Sequence, residues 1–404
     1  MKVAFVLPKI QLAGGIYIVL EHARRLAKDH DVDVTIVLSR DVKVRHPFPS
    51  VEHLVCIGLE EAAGRTYDVA LATWWETIFA LPSLEAKRYG HFIQNFEDRF
   101  YRPSENVLRL RAAAPQMLPL SFVATSSWLA EQLRTIQPGA QCYVVLSGID
   151  KEVFPISAPE FSPPAAPLRI VVEGPPAVWF KGVSEAVASV KRMREPHELT
   201  LVTGEFSAPL EMEAVAHEVF SRLTHNEMAE LLARSHVLLK LSRVEGMAGP
   251  PLEAFHMGAT AVLTPVTGHD EYAIHGWNCQ VVGFDDLAGT ARTLDLLARD
   301  RKLLHVLRTN ALATAREWPD WSTSTAELAS VLREIADSPP PVDPRSTRQF
   351  ILDLHVALVA PTASFSSDDE HALRIGRAMR QCYRHPLLAP LRILLQPLLR
   401  RILR

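Results

Sequence analysis

The chain has 404 residues, 48% of them apolar and 22% charged, with 43 basic against 46 acidic side chains and a net charge of −3. That length suits two domains and an appendage, and that composition excludes wholesale disorder, collagen-like repetition and a dominant nucleic-acid charge. The four cysteines, Cys56, Cys142, Cys279 and Cys382, stand far apart with no CxxC pair. This excludes a cysteine zinc ribbon and a disulfide framework, and it fits a reducing cytoplasm.

The first apolar run, residues 3–7, is too short for a secretory signal and has the length of a strand. Gly14 and Gly15 follow as a loop, and residues 16–28 carry Ile16, Leu20, Ala23 and Ala27 at helical spacing. Residues 32–38, 69–72, 91–93 and 122–124 read as further strands. Short apolar strands separated by amphipathic helices make a parallel sheet covered on both faces, a Rossmann-like sandwich. Pro155, Pro159, Pro163, Pro164 and Pro167 then exclude a helix or central strand and mark a linker. The alternation restarts with strands at 168–173, 199–203, 237–241 and 261–263. Helices are expected at 184–193, 226–234, 251–257, 285–299, 301–316 and 323–336.

The expected fold is therefore α/β, with two facing Rossmann-like domains, residues 1–155 and 156–336. Ligands of such sheets sit at the carboxyl ends of the strands, here in an interdomain cleft. Pro339, Pro340 and Pro341 open a third segment, 337–404, read as a Pro-rich linker and a basic helical tail. Beyond Glu370 there are eight arginines and no acid, which leaves the body at −11. Counting from Leu391, the residues Leu394, Leu395, Leu398, Leu399, Ile402 and Leu403 share one helical arc, opposite Gln396, Arg400, Arg401 and Arg404. Residues 374–404 thus suit an anionic membrane surface, or docking on the body or on a second subunit. No run reaches the ~18 apolar residues of a membrane span. The expected location is the cytoplasm, with the tail as a candidate contact to the inner face of the membrane.

The most informative stretch runs from Ser242 through Arg243, Val244, Glu245, Gly246, Met247, Ala248, Gly249, Pro250, Pro251 and Leu252 to Glu253. It leaves a strand, passes through small residues and enters a helix with proline near its first position. Small residues let backbone N–H groups approach a ligand, and a helix start favours an anion. Glu245 falls at the loop mouth and Glu253 in the first turns, so the two carboxylates should meet different partners. The bland alternative is a surface carboxylate and a charge complementing the helix dipole.

This stretch resembles the E-x7-E motif of the family-4 retaining glycosyltransferases, which have the GT-B fold. The similarity extends over most of residues 1–335. Gly14-Gly15 is similar to the family's glycine-rich loop, and Ser147-Gly148-Ile149-Asp150 with Phe154 to its N-G-V/I-D-x-x-x-F segment. Lys181-Gly182 resembles its K-G pair, and Gly258 to Val262 and His269-Asp270-Glu271 resemble its later stretches. The resemblance implies transfer of a hexose or deoxyhexose from a UDP-, GDP- or dTDP-linked donor, with retention, to a glycan or lipid-linked acceptor. Polysaccharide biosynthesis is the setting it suggests. It places Glu245 at the donor sugar, Glu253 at the ribose hydroxyls, and Lys181 at the diphosphate. Gly14, Gly15, Arg243, Gly246, Met247, Ala248 and Gly249 complete the donor-binding set. The family's arginine before K-G is missing, since the segment reads Glu173-Gly174-Pro175-Pro176; Arg243 is the candidate replacement.

Phe92-Ile93-Gln94-Asn95-Phe96-Glu97 is similar to the F-V/I-Q-D/N-F/Y-E segment of the rhamnosyltransferase branch, which implies dTDP-rhamnose. Trp74, Gln94, Asn95 and Glu97 are candidate acceptor contacts, with plain core packing as the alternative for the aromatics. Asp31-Val32-Asp33 looks like a D-x-D metal site but precedes a strand, where exposed Asp is common. No metal, other cofactor or nucleic-acid partner is expected; the donor is a substrate. A nucleotide-sugar epimerase and a non-catalytic scaffold of the same architecture remain the alternatives.

Overall fold

The computed structural model describes residues 1–359 apart from 12, 41–52, 162, 164, 165 and 205–208. The described residues divide into two compact units, Met1–Leu146 with 321–359, and Ser147–Asp320. The expected boundary at residue 155 falls earlier because Ile149 bridges to Asp320 and the Trp318 indole donates to Ser147 O at 2.9 Å. Those contacts tie the segment after Leu146 to the second unit.

The first unit holds seven strands: β1 (Lys2–Leu7), β2 (Asp33–Leu38), β3 (Val55–Gly58), β4 (Thr66–Ala72), β5 (Glu85–Ile93), β6 (Ser121–Ala124) and β7 (Cys142–Val144). They pair in parallel in the order β3-β2-β1-β4-β5-β6-β7. Side chains alternate along a strand, so Val3, Phe5 and Leu7 join one core cluster and Ala4 and Val6 another. Both sets are buried, which is why the strand reads as an unbroken apolar run. The helix Gly14–Asp29 covers the first cluster with Val19, Leu20, Ala23 and Leu26. Gly14 and Gly15 begin this helix and do not form the expected loop; neither has a positive φ.

The second unit holds six parallel strands: β8 (Leu168–Glu173), β9 (His197–Thr203), β10 (Glu218–Ser221), β11 (Val237–Lys240), β12 (Thr260–Leu263) and β13 (Cys279–Val281). Their order is β10-β9-β8-β11-β12-β13. The order reverses direction beside β8, where such sheets place their ligands at the carboxyl ends of the strands.

The helix Trp321–Asp337 buries Leu328, Leu332 and Ile335 in the same cluster as the helix Gly14–Asp29. Its last carbonyls need partners, and Arg88 supplies them, donating to Ile335 O at 3.1 Å and to Ser338 O at 2.7 Å. The stretch read as linker contains a further helix, Pro344–Val359. Ile351, Leu354 and Leu358 bury in the opposite cluster of the first unit, and Arg348 donates to Pro82 O at 2.7 Å. Three apolar residues at i, i+3 and i+7 are enough for one helical face. The basic tail, residues 374–404, lies outside the described residues. Among the described residues no helix is long and apolar enough to cross a membrane.

If Pro344–Val359 belongs to the first unit's core, Leu354→Ala should destabilise that unit by about 2–4 kcal/mol. Urea unfolding followed by circular dichroism reads this; an unchanged midpoint would remove the helix from the core.

Candidate active site

The second unit brings the charged residues of the sequence motif together at the carboxyl ends of β8 and β11. Two backbone approaches make this possible. Gly182 has φ +65°, and a Cβ there would stand 1.9 Å from Leu241 O, so only glycine fits. Arg243 N donates to Phe180 O at 2.7 Å and locks the segment after β8 against the end of β11. On the other side Gly268 lies against the Glu245 and Gly246 carbonyls, where a Cβ would stand 2.8 and 2.7 Å away.

Lys181 is thereby held against Glu245. Its ammonium lies 2.9 Å from Oε1 and 3.1 Å from Oε2. Ser242 Oγ donates to the same Oε1 at 2.8 Å. A second cation, Lys240 at the end of β11, stands 3.6 Å from Oε1 and pairs with Glu173 of β8 at 2.9 Å. Glu245 is 9% exposed, and burial alone would favour its neutral form. Lys181, Lys240 and the Ser242 hydroxyl outweigh burial and bring its carboxyl down to about 2. Burial also opposes the charge on Lys240, but Glu173 and Glu245 outweigh it and raise its pKa.

Glu253 sits in the first turn of the helix Pro250–His256 and has the opposite environment. Burial, and then the Glu173 charge, push its carboxyl up to about 7, with Lys240 pulling the other way. Gly249 precedes this helix, and a Cβ there would come 3.8 Å from Glu253 Oε1. Ala248 is buried and accepts from the Tyr272 hydroxyl at 2.8 Å, while Met247 is half-buried. His269 is buried beside Thr264, and burial lowers its pKa to about 4. Arg243 does not pair with Glu245. It meets Asp285, with one guanidinium–carboxylate contact at 3.2 Å, and Glu185 at 3.4 Å.

In the first unit, Gln94 Nε2 donates to Gly15 O at 2.9 Å. Glu97 is buried and accepts from Trp75 N at 2.5 Å, and burial pushes its carboxyl well above the usual range. Trp74 stacks on Phe100 with centroids 5.9 Å apart and donates to Glu76 at 3.2 Å. Asn95 is buried, and its Oδ1 has no hydrogen-bond partner among the described residues. The four candidate acceptor residues thus follow the carboxyl ends of β4 and β5. Among the described residues no group of three His, Cys, Asp or Glu could hold a metal ion, and Asp31 is an exposed residue before β2 with φ +54°.

Residues 169–300 match the family model described as glycosyl transferases, group 1, about a third of the chain. HepE of Anabaena, solved with UDP and glucose, is similar over 83% of this chain and 100% of its own, at 16% identity and a TM-score of 0.65. Sucrose-phosphate synthase of Thermosynechococcus elongatus matches at 16% identity and 0.65, over 83% of this chain and 98% of its own. WaaG, a glycosyltransferase involved in lipopolysaccharide biosynthesis, matches at 14% and 0.59, over 82% and 99%. The chain has the GT-B fold, and its residues 169–300 carry the match to the group 1 glycosyl transferases. No curated protein matches it.

The group 1 match spans Lys181, Glu245 and Glu253 together. Lys240 and Glu173 were absent from the candidate site read from sequence. The signal was present, because a lysine closing the apolar run Val237-Leu238-Leu239 is rare in a buried strand.

Glu253 gives a pH test with a definite sign. Its folded carboxyl lies above the ordinary value, so its contribution is complete below about pH 4.5 and is lost as pH rises through about 7. Glu253→Gln should therefore stabilise the protein at about pH 8, by something on the order of 2 kcal/mol, and make no difference at about pH 4. Thermal midpoints across that range check it, and a gain at low pH instead would contradict the assignment.

Proposed function

We propose that the enzyme moves a hexose or deoxyhexose from a nucleoside diphosphate sugar to a glycan or lipid-linked acceptor, with retention at the anomeric carbon and without a metal ion. The observation that carries the reading is the Lys181–Glu245 pair, set at the carboxyl ends of β8 and β11, with Lys240 within reach of both Glu245 and Glu253. When the anomeric C–O bond breaks, negative charge collects on the leaving diphosphate, and a fixed ammonium stabilises it there. Lys181 has that role. Glu245 holds no proton at neutral pH, so it is an acceptor for donor-sugar hydroxyls and not a general acid. Glu253 binds the ribose hydroxyls. With no carboxylate assigned as a covalent nucleophile, attack occurs on the face the diphosphate leaves, and the departing phosphate takes the acceptor's proton.

Two comparisons support the substrate classes: HepE was solved with UDP and glucose, and WaaG takes part in lipopolysaccharide biosynthesis. The segment from Phe92 to Glu97 favours dTDP-rhamnose as the alternative donor. Trp74, Gln94, Asn95 and Glu97 serve the acceptor. Residues 374–404 bring the enzyme to an anionic membrane surface where a lipid-linked acceptor resides.

Thermal unfolding against UDP, GDP, dTDP and ADP and their common sugars tests the donor. One nucleotide should raise the midpoint by an amount equal to about 2.7 kcal/mol at a hundred times its Kd. Glu253→Ala should abolish that shift. Glu245→Ala should keep the shift and lower transfer by about a hundredfold or more. Transfer should survive EDTA; loss on chelation, restored by a divalent cation, would refute metal independence.

A further inference from the structure

The arginine expected before Lys181-Gly182 is absent, and Arg243 is taken up by Asp285 and Glu185. The second cation at Glu245 comes instead from inside the sheet. Lys240 closes β11, a strand paired on both sides, and is 3% exposed. An ammonium in that place is strongly disfavoured unless carboxylates surround it. It has Glu173 at 2.9 Å and Glu245 at 3.6 Å.

We propose that Lys240 is a positioning residue of the donor site: it keeps Glu245 charged and in place when Lys181 turns from Glu245 to the donor phosphates. The proposal rests on the donor-site reading given above. Both Glu245 oxygens lie within 3.1 Å of the Lys181 ammonium. A diphosphate carries more negative charge than one carboxylate and competes for that ammonium. Lys181, with 27% of its side chain exposed, is able to turn; Lys240, fixed in a central strand, is not. Were Lys181 the only cation, Glu245 would be left buried and uncompensated, and it would take up a proton. Lys240 and the Ser242 hydroxyl remain in place and prevent this. The groups whose charges reach this cluster are Lys181, Lys240, Glu173, Glu253, His269 and Tyr272.

Proton counting separates this role from a merely structural Lys240–Glu173 pair. The full chain is titrated calorimetrically at about pH 6 with the best-binding nucleoside diphosphate from the panel, in buffers of different ionisation heat. Wild type and Glu245→Gln should take up the same number of protons. Lys240→Gln should take up about one more per site, and adding Glu245→Gln to it should remove the excess. A Lys240→Gln count equal to wild type overturns the proposal. If that variant does not fold, wild type and Glu245→Gln decide alone, because a proton taken up only by wild type shows that Lys240 does not hold the charge. Failure of wild type to bind any diphosphate overturns the donor-site reading itself, and the Lys240 proposal with it.

Discussion

Glu245 is a carboxylate with 9% of its surface in contact with water, and it is charged. A charge removed from water persists only where cations and hydrogen-bond donors replace the water around it. The carboxyl end of the second sheet is arranged to meet that demand. Lys181 reaches it from the turn after β8, Lys240 from the end of β11, and Ser242 from the loop that follows. Each approach needs close backbone packing. Gly182 against Leu241 and Gly268 against Glu245 are the two places where a Cβ would push the elements apart. The glycine of the K-G pair thus serves the lysine before it, by letting that lysine come within hydrogen-bond distance of its carboxylate.

The same neighbourhood gives two carboxylates eight residues apart opposite characters. Glu245 has two cations and a hydroxyl and is held at about 2; Glu253 has burial and the Glu173 charge and is pushed up to about 7. Environment rather than residue type separates their chemistry, as it does wherever paired acids divide two tasks. Lys240 links them, since it lowers both carboxyls while pairing directly with Glu173. The charge balance of the site therefore involves Lys240 and Glu173 as well as the three motif residues.

The central strands were legible because each has a largely apolar stretch buried on both faces. Those left unread were β3, β7, β10 and β13, the two edges of each sheet. Edge strands here have three or four residues and half-exposed faces, so they leave no such run. The helix Pro344–Val359 was hidden for a related reason: it buries only a narrow face and follows three prolines that read as linker. Gly14 and Gly15 misled in the other direction, because a glycine pair suits a loop and a helix start alike. In the candidate site, the order of Lys181, Glu245 and Glu253 along the chain singled them out, and the structure pairs the first two. Lys240 was not, because its partners Glu173 and Glu245 come together only when β8 and β11 lie side by side. Arg243 was the natural candidate from sequence, and Asp285, forty-two residues on, claims it instead.

The most direct measurement is a crystal structure of the protein with the best-binding nucleoside diphosphate of the panel. The account predicts the Lys181 ammonium within hydrogen-bond distance of the distal phosphate, Glu253 on the ribose, and Glu245 still paired with Lys240. A diphosphate bound elsewhere, with Lys181 still clamped on Glu245, would contradict it.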